Sequence, residues 1–128
     1  MNSKFQLLEK TERMFAKFDD IVINFPKKQL VLKYNIEETL YLLIEYIHAY
    51  QINTSERIKE KYLKDLLVKI SMLDFYVGVS FRRKIISVKQ HKEICNMISE
   101  IRKICYGVIG SLKKNENGAS KNEAEVSS

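Results

Sequence analysis

Few residues in this chain have the types and spacing that chemistry needs. The candidates are His48, His91, Cys95 and Cys105, together with the carboxylates Asp19, Asp20, Glu37, Glu38 and Glu45. His91 and Cys95 stand four apart, so on a helix they share one face. Two ligands fall short of the three or four that a protein metal site uses, and no metal centre is expected. Glu37, Glu38 and Glu45 are the residue type that di-iron bundles employ, but the pair of Glu-x-x-His motifs on two helices that such a site needs is missing. Asp19 and Asp20 lack a companion ligand pattern. Gly107 and Gly110 fall in or near the end of a predicted helix, which is not a phosphate-cradling loop. Arg83 and His91 have seven residues between them, wider than the Arg–His spacing of the all-helical ribonucleases. The chain therefore reads as a protein without catalytic residues, cofactor or metal.

The elements that would position these residues are helices. One proline and four glycines among 128 residues argue against a loop-rich or all-β fold, and 45% hydrophobic residues suffice for one core. Phe5, Leu8, Met14 or Phe15, Phe18, Ile21 or Val22, and Phe25 repeat at helical spacing until Pro26 ends the series. A second helix is predicted from about residue 28, with Leu32, Ile36, Leu40, Leu43, Ile44 and Ile47 on one face. Ser55 is the expected N-cap of a third, running to about Lys84. Ser87 with Gln90 forms a capping box for a fourth, whose stripe is Ile94, Ile98, Ile101, Cys105, Val108 and Leu112. His48 lies near the end of the second helix, where a cation suits the dipole, and Cys95 and Cys105 read as reduced residues lining or fringing the core. Short connections predict an antiparallel up-down four-helix bundle over residues 1–114. From Asn115 the composition turns polar, and residues 115–128 are expected to be a disordered tail. The apolar runs are interrupted every few residues, and the polar N-terminal stretch opens an amphipathic pattern at once. No membrane span or leader is expected, and the location read from this is cytoplasmic.

Charge is uneven along the chain. Residues 1–54 carry seven Lys/Arg and seven Asp/Glu, whereas residues 55–114 carry fourteen against six. An excess confined to one half points to a polyanionic partner; a solvated face that serves solubility is the alternative. The candidate phosphate contacts are Arg57, Lys61 and Lys64 on helix three, then Arg82, Arg83 and Lys84 at the following turn. Lys89, Lys92 and Lys103 on helix four complete the set. No base-reading motif accompanies them, so binding is expected to be salt-sensitive and weakly sequence-specific. Helix three also carries a second apolar seam. Leu63, Leu66, Ile70, Leu73 and Val77 form its core face, while Val68, Met72, Phe75 and Val79 recur on the opposite side, bracketed by basic residues. That seam predicts an oligomer interface, unless neighbouring helices cover both sides.

Short stretches of the sequence resemble a known family. They are Phe25-Pro26-Lys27-Lys28, Leu32 through Ile36 and Leu40, Tyr62-Leu63 with Leu66 to Leu73, Ile85 through His91, and Ile101-Arg102 through Gly107 and Ile109. Together they are similar to the accessory variability determinant of diversity-generating retroelements, within a wider group that includes proteins encoded in intervening sequences of bacterial 23S ribosomal RNA genes. The resemblance implies a homopentameric barrel of four-helix protomers without a catalytic site. It implies as partners the retroelement reverse transcriptase and its template RNA or DNA, in support of mutagenic retrohoming. Two alternatives stand beside it: a ribosomal-RNA intervening-sequence protein, or a protein-interaction bundle that binds no nucleic acid.

Overall fold

The computed structural model describes residues 3–127, with side chains described for residues 5–114. Four helices follow one another: α1 (Ser3–Val22), α2 (Leu30–Ile52), α3 (Glu56–Arg82) and α4 (Val88–Ser127). A single 3-10 turn, Lys27–Gln29, precedes α2, and no strand occurs among the described residues. α1 packs on α2 and α4, and α3 packs on α2 and α4, so the helices form a closed square. With connections this short, neighbours run antiparallel. The molecule is an all-α four-helix bundle. The expected disorder of the tail concerns side chains beyond Lys114, which lie outside the described ones; the backbone of α4 is helical through Ser127.

Each boundary has a local cause. Pro26 cannot continue α1, and the chain tightens just before it: the Asn24 and Phe25 amides donate to the carbonyls of Ile21 and Val22. At the start of α3 the Ser55 hydroxyl accepts the Ile58 amide at 3.4 Å. α4 begins with a complete capping box. The Ser87 amide donates to Gln90 Oε1 at 2.9 Å, and the Gln90 amide donates to Ser87 Oγ at 3.1 Å. α3 ends two residues earlier than the sequence suggests. The Lys84 amide donates to Phe81 O and the Ile85 amide to Ser80 O, the paired bonds of a Schellman motif. Lys84 takes the left-handed position with φ 60°, where glycine is the usual occupant.

The core stripes of α3 and α4 are those read from the sequence, all buried. α1 departs from expectation. Its buried stripe is Leu7, Thr11, Met14, Phe18, Ile21 and Val22, while Phe5 is 66% exposed and Leu8 and Phe15 are half-buried. The periodicity was set there by the bulkiest residue, but a threonine holds a core position. Thr11 can do so because its hydroxyl donates to the Leu7 carbonyl at 2.7 Å, leaving no unpaired polar group. Thr39 and Ser80 enter the core in the same way, bonded to Asn35 O and Tyr76 O. On α2, Ile44 is half-buried and Tyr50, not foreseen, closes the core. Burial pushes the Tyr50 phenol up to about 12.

Candidate nucleic-acid interface

The residues with chemical potential do not assemble into a reactive centre. His91 stacks on Phe81 with ring centroids 4.1 Å apart, and its Nε2 lies 3.5 Å from Cys95 Sγ. Burial, with Asp74 nearby, pushes the Cys95 thiol up, the opposite of what an activated nucleophile needs. Cys105 is fully buried, donates to the Leu63 carbonyl at 3.5 Å, and is pushed up to about 12 by burial. Glu45 and His48 make up a lone Glu-x-x-His on the exposed side of α2. No group of three potential metal ligands occurs among the described residues.

The basic residues separate into regions. Arg57, Lys61 and Lys64 lie on the first turns of α3, and Arg82 lies at its other end, about 37 Å away at 1.5 Å per residue. The nine candidates therefore do not make one patch. Near Ser55 the cations have partners: Lys61 with Asp65 at 3.3 Å, Lys64 with Glu60 at 3.4 Å, and Lys113 with the same Glu60 at 3.7 Å. Arg57, Lys61 and Lys64 share a shallow cleft with those two acids. At the other end, Arg82, Lys84, Lys89 and Lys92 are exposed, and no ion pair holds them among the described residues. Lys103 is exposed midway along α4.

The outward ridge of α4 has a simple electrostatic origin. Its acids turn sideways to neighbouring helices: Glu93 pairs with Lys17 of α1 at 2.9 Å, and Glu100 pairs with Lys10. The Lys17 hydrogen bond and charge hold the Glu93 carboxyl below its usual range. On the side facing α3, Arg102 meets Asp74 at 3.6 Å. What remains outward is Lys89, Lys92, Asn96, Ser99, Lys103 and Tyr106, all exposed and without a carboxylate.

Folding also adds cations that counting by halves of the chain hid. Antiparallel packing places the α1–α2 connection beside the α3–α4 turn, and Arg83 Nη1 donates to Gln29 Oε1 at 2.9 Å across it. Lys27 and Lys28, both exposed, join Arg82, Arg83 and Lys84 at this end. The signal was in the sequence: in an up-down bundle the first and third connections share an end.

The second apolar seam of α3 faces out. Val68, Met72 and Phe75 are 60%, 37% and 57% exposed, so neighbouring helices do not cover them. Val79 differs from its assignment to that seam: it is half-buried and packs against the core. On the opposite side of the bundle, α1 and α2 enclose a groove of about 470 Å³. Phe15, Ala16, Tyr41 and Ile44 form its floor, and Glu12, Asp19 and Glu45 complete its lining. Phe15 and Tyr41 meet edge to face at 5.2 Å.

Comparison with protein families matches the bAvd-like family over residues 5–114, which is the whole packed part of the bundle. The chain belongs to the bAvd-like family. That family consists of accessory proteins without catalysis, in keeping with the raised thiols and scattered carboxylates above. A solved structure with this fold is the crystal structure of a protein with unknown function from the S23 ribosomal protein family of Bacteroides thetaiotaomicron. It is 15% identical, with a TM-score of 0.79, and the match covers 85% of this chain and 99% of that one. Comparison with curated proteins finds no match. No helix among the described residues is long and apolar enough to cross a membrane.

Proposed function

We propose that this bAvd-like bundle is a non-catalytic accessory protein that binds nucleic acid and a reverse transcriptase, supporting the mutagenic retrohoming of a diversity-generating retroelement in the cytoplasm. Membership of the bAvd-like family across residues 5–114 carries the reading. Two surfaces support it. The unpaired cations of α4 and the neighbouring turn suit a phosphate backbone, and the open α3 seam suits a subunit contact. The seam, bordered by Arg57, Lys61 and Lys64, complements the apolar α1–α2 groove lined by Glu12, Asp19 and Glu45. Two different faces that fit one another give head-to-tail contacts, which close into a ring when the rotation allows; the family resemblance implies five copies.

The test is light scattering on a sizing column, alone and with RNA across a salt series, followed by co-purification with the reverse transcriptase encoded alongside. A particle of five 15.1 kDa protomers that takes up RNA at low salt and retains the polymerase is the expected result. A protomer that ignores both would overturn the reading in favour of an ordinary interaction bundle.

A further inference from the structure

We infer that the nucleic acid is held at one end of the bundle, where the α1–α2 connection and the α3–α4 turn together form the phosphate-binding surface, with Lys27 and Lys28 as part of it. The inference rests on the proposed nucleic-acid function and goes further by choosing between the two basic ends.

Three observations make the choice. First, the fold gathers at this end cations that lie far apart in sequence, and the Arg83–Gln29 hydrogen bond fixes the two connections to each other. A rigid array of cations spends less ordering entropy on binding than the same charges on independent loops. Second, the charges here are available. Lys27, Lys28, Arg82, Lys84 and Lys89 have no ion pair among the described residues, whereas near Ser55 Glu60 and Asp65 engage Lys61, Lys64 and Lys113. A phosphate arriving near Ser55 must displace a carboxylate or lie close to one, and repulsion from that carboxylate offsets the gain. Third, Lys84 occupies a left-handed backbone position that glycine fills at lower cost. A cation kept where the backbone favours another residue is what a functional constraint leaves behind.

The surface has an apolar component as well. Ile23, Val31 and Val88 are exposed around the same connections, so a partner here meets cations and aliphatic groups together. Phosphate chemistry is shared by RNA and by an anionic lipid surface. RNA is favoured because exposed cations continue from the end along the α4 ridge to Lys103. This path extends along the helix and suits a strand that follows it.

The experiment measures fluorescence anisotropy of a labelled single-stranded RNA of mixed sequence against salt, using the full chain and two double variants. Lys27→Gln/Lys28→Gln is expected to weaken binding severalfold and to lower the slope of log affinity against log salt by about two, roughly one per lost phosphate contact. Arg57→Gln/Lys61→Gln is expected to leave both unchanged. Both pairs are exposed, so helical content by circular dichroism should match the parent. Equal losses in the two variants, or loss only in the second, would overturn the assignment to this end while leaving RNA binding in place. A parent protein that binds no RNA at low salt would remove the proposed function itself, and this inference with it. Flotation on phosphatidylserine vesicles that requires Lys27 and Lys28, without RNA binding, would give the end to a lipid surface and overturn the inference.

Discussion

On the inner face of α3, Leu63, Leu66, Ile70, Leu73 and Val77 are sealed from solvent, while half a turn away Val68, Met72 and Phe75 stand exposed. The two stripes have similar composition and the same helical spacing. Composition therefore does not decide which is buried in the protomer; the position of α2 and α4 does, because they close on one side of α3 only. The basic residues divide in a parallel way, with carboxylate partners near Ser55 and none at the opposite turn. In both cases the surface left unsatisfied by the fold is the one available to a partner.

The largest effect expected from this contrast is thermodynamic. Ile70→Ala should lower stability by about 2–5 kcal/mol, since it opens a cavity among fully buried neighbours. Val68→Ala should change dilute-protein stability by no more than about 0.5 kcal/mol. Urea unfolding followed by circular dichroism at low protein concentration measures both. A Val68→Ala cost that matches Ile70→Ala would mean that the outer seam is covered even then. Next in size is assembly: Phe75→Asp should leave the helical spectrum intact and reduce the mass seen by light scattering to that of the protomer. Unchanged mass in this variant would place the subunit contact elsewhere.

Much of the contrast was legible in the sequence. Both α3 stripes, the α4 stripe and the caps at Ser55 and Ser87 follow from spacing and side-chain chemistry that act locally. What escaped depended on non-local or backbone facts. Thr11 is a core residue only through its bond to Leu7. Lys84 looks like one more helical residue until its φ is known. Lys27 and Lys28 belong to a neutral half of the chain, and only the antiparallel path brings them to the basic turn. Val79 shares the spacing of the outer seam, yet near the end of α3 it packs against the core.

Ionisation gives a further way to separate the faces of α3. Cys105 sits against the inner face, bonded to the Leu63 carbonyl, with its thiol raised from 9.0 to about 12. Because the folded value lies above the unfolded one, the neutral thiol's contribution is complete below pH 9 and is lost as pH rises toward 12. Tyr50 acts in the same sense from 10 to about 12. Melting temperature should therefore fall over this alkaline range, and Cys105→Ala should make the fall shallower while costing some stability at neutral pH. An identical alkaline limb in the variant would show that solvent reaches the thiol and that the inner face is less closed than its packing implies.

The smallest effect lies at the end of α3, where fold and function make opposite demands on one residue. Lys84→Gly relieves a left-handed backbone position at φ 60° while keeping both Schellman hydrogen bonds, which are made by the main chain. Part of the relief is offset by the greater freedom of glycine in the unfolded chain. A net gain of about 0.5–1 kcal/mol is expected, visible as a melting temperature a few degrees higher. The same variant removes a cation from the proposed phosphate surface, so its RNA affinity should fall as its stability rises. Stability and binding that increase together would show that Lys84 is not held there for its charge. A gain in one with a loss in the other would identify the turn as a place where a less favourable backbone is retained for what its side chain binds.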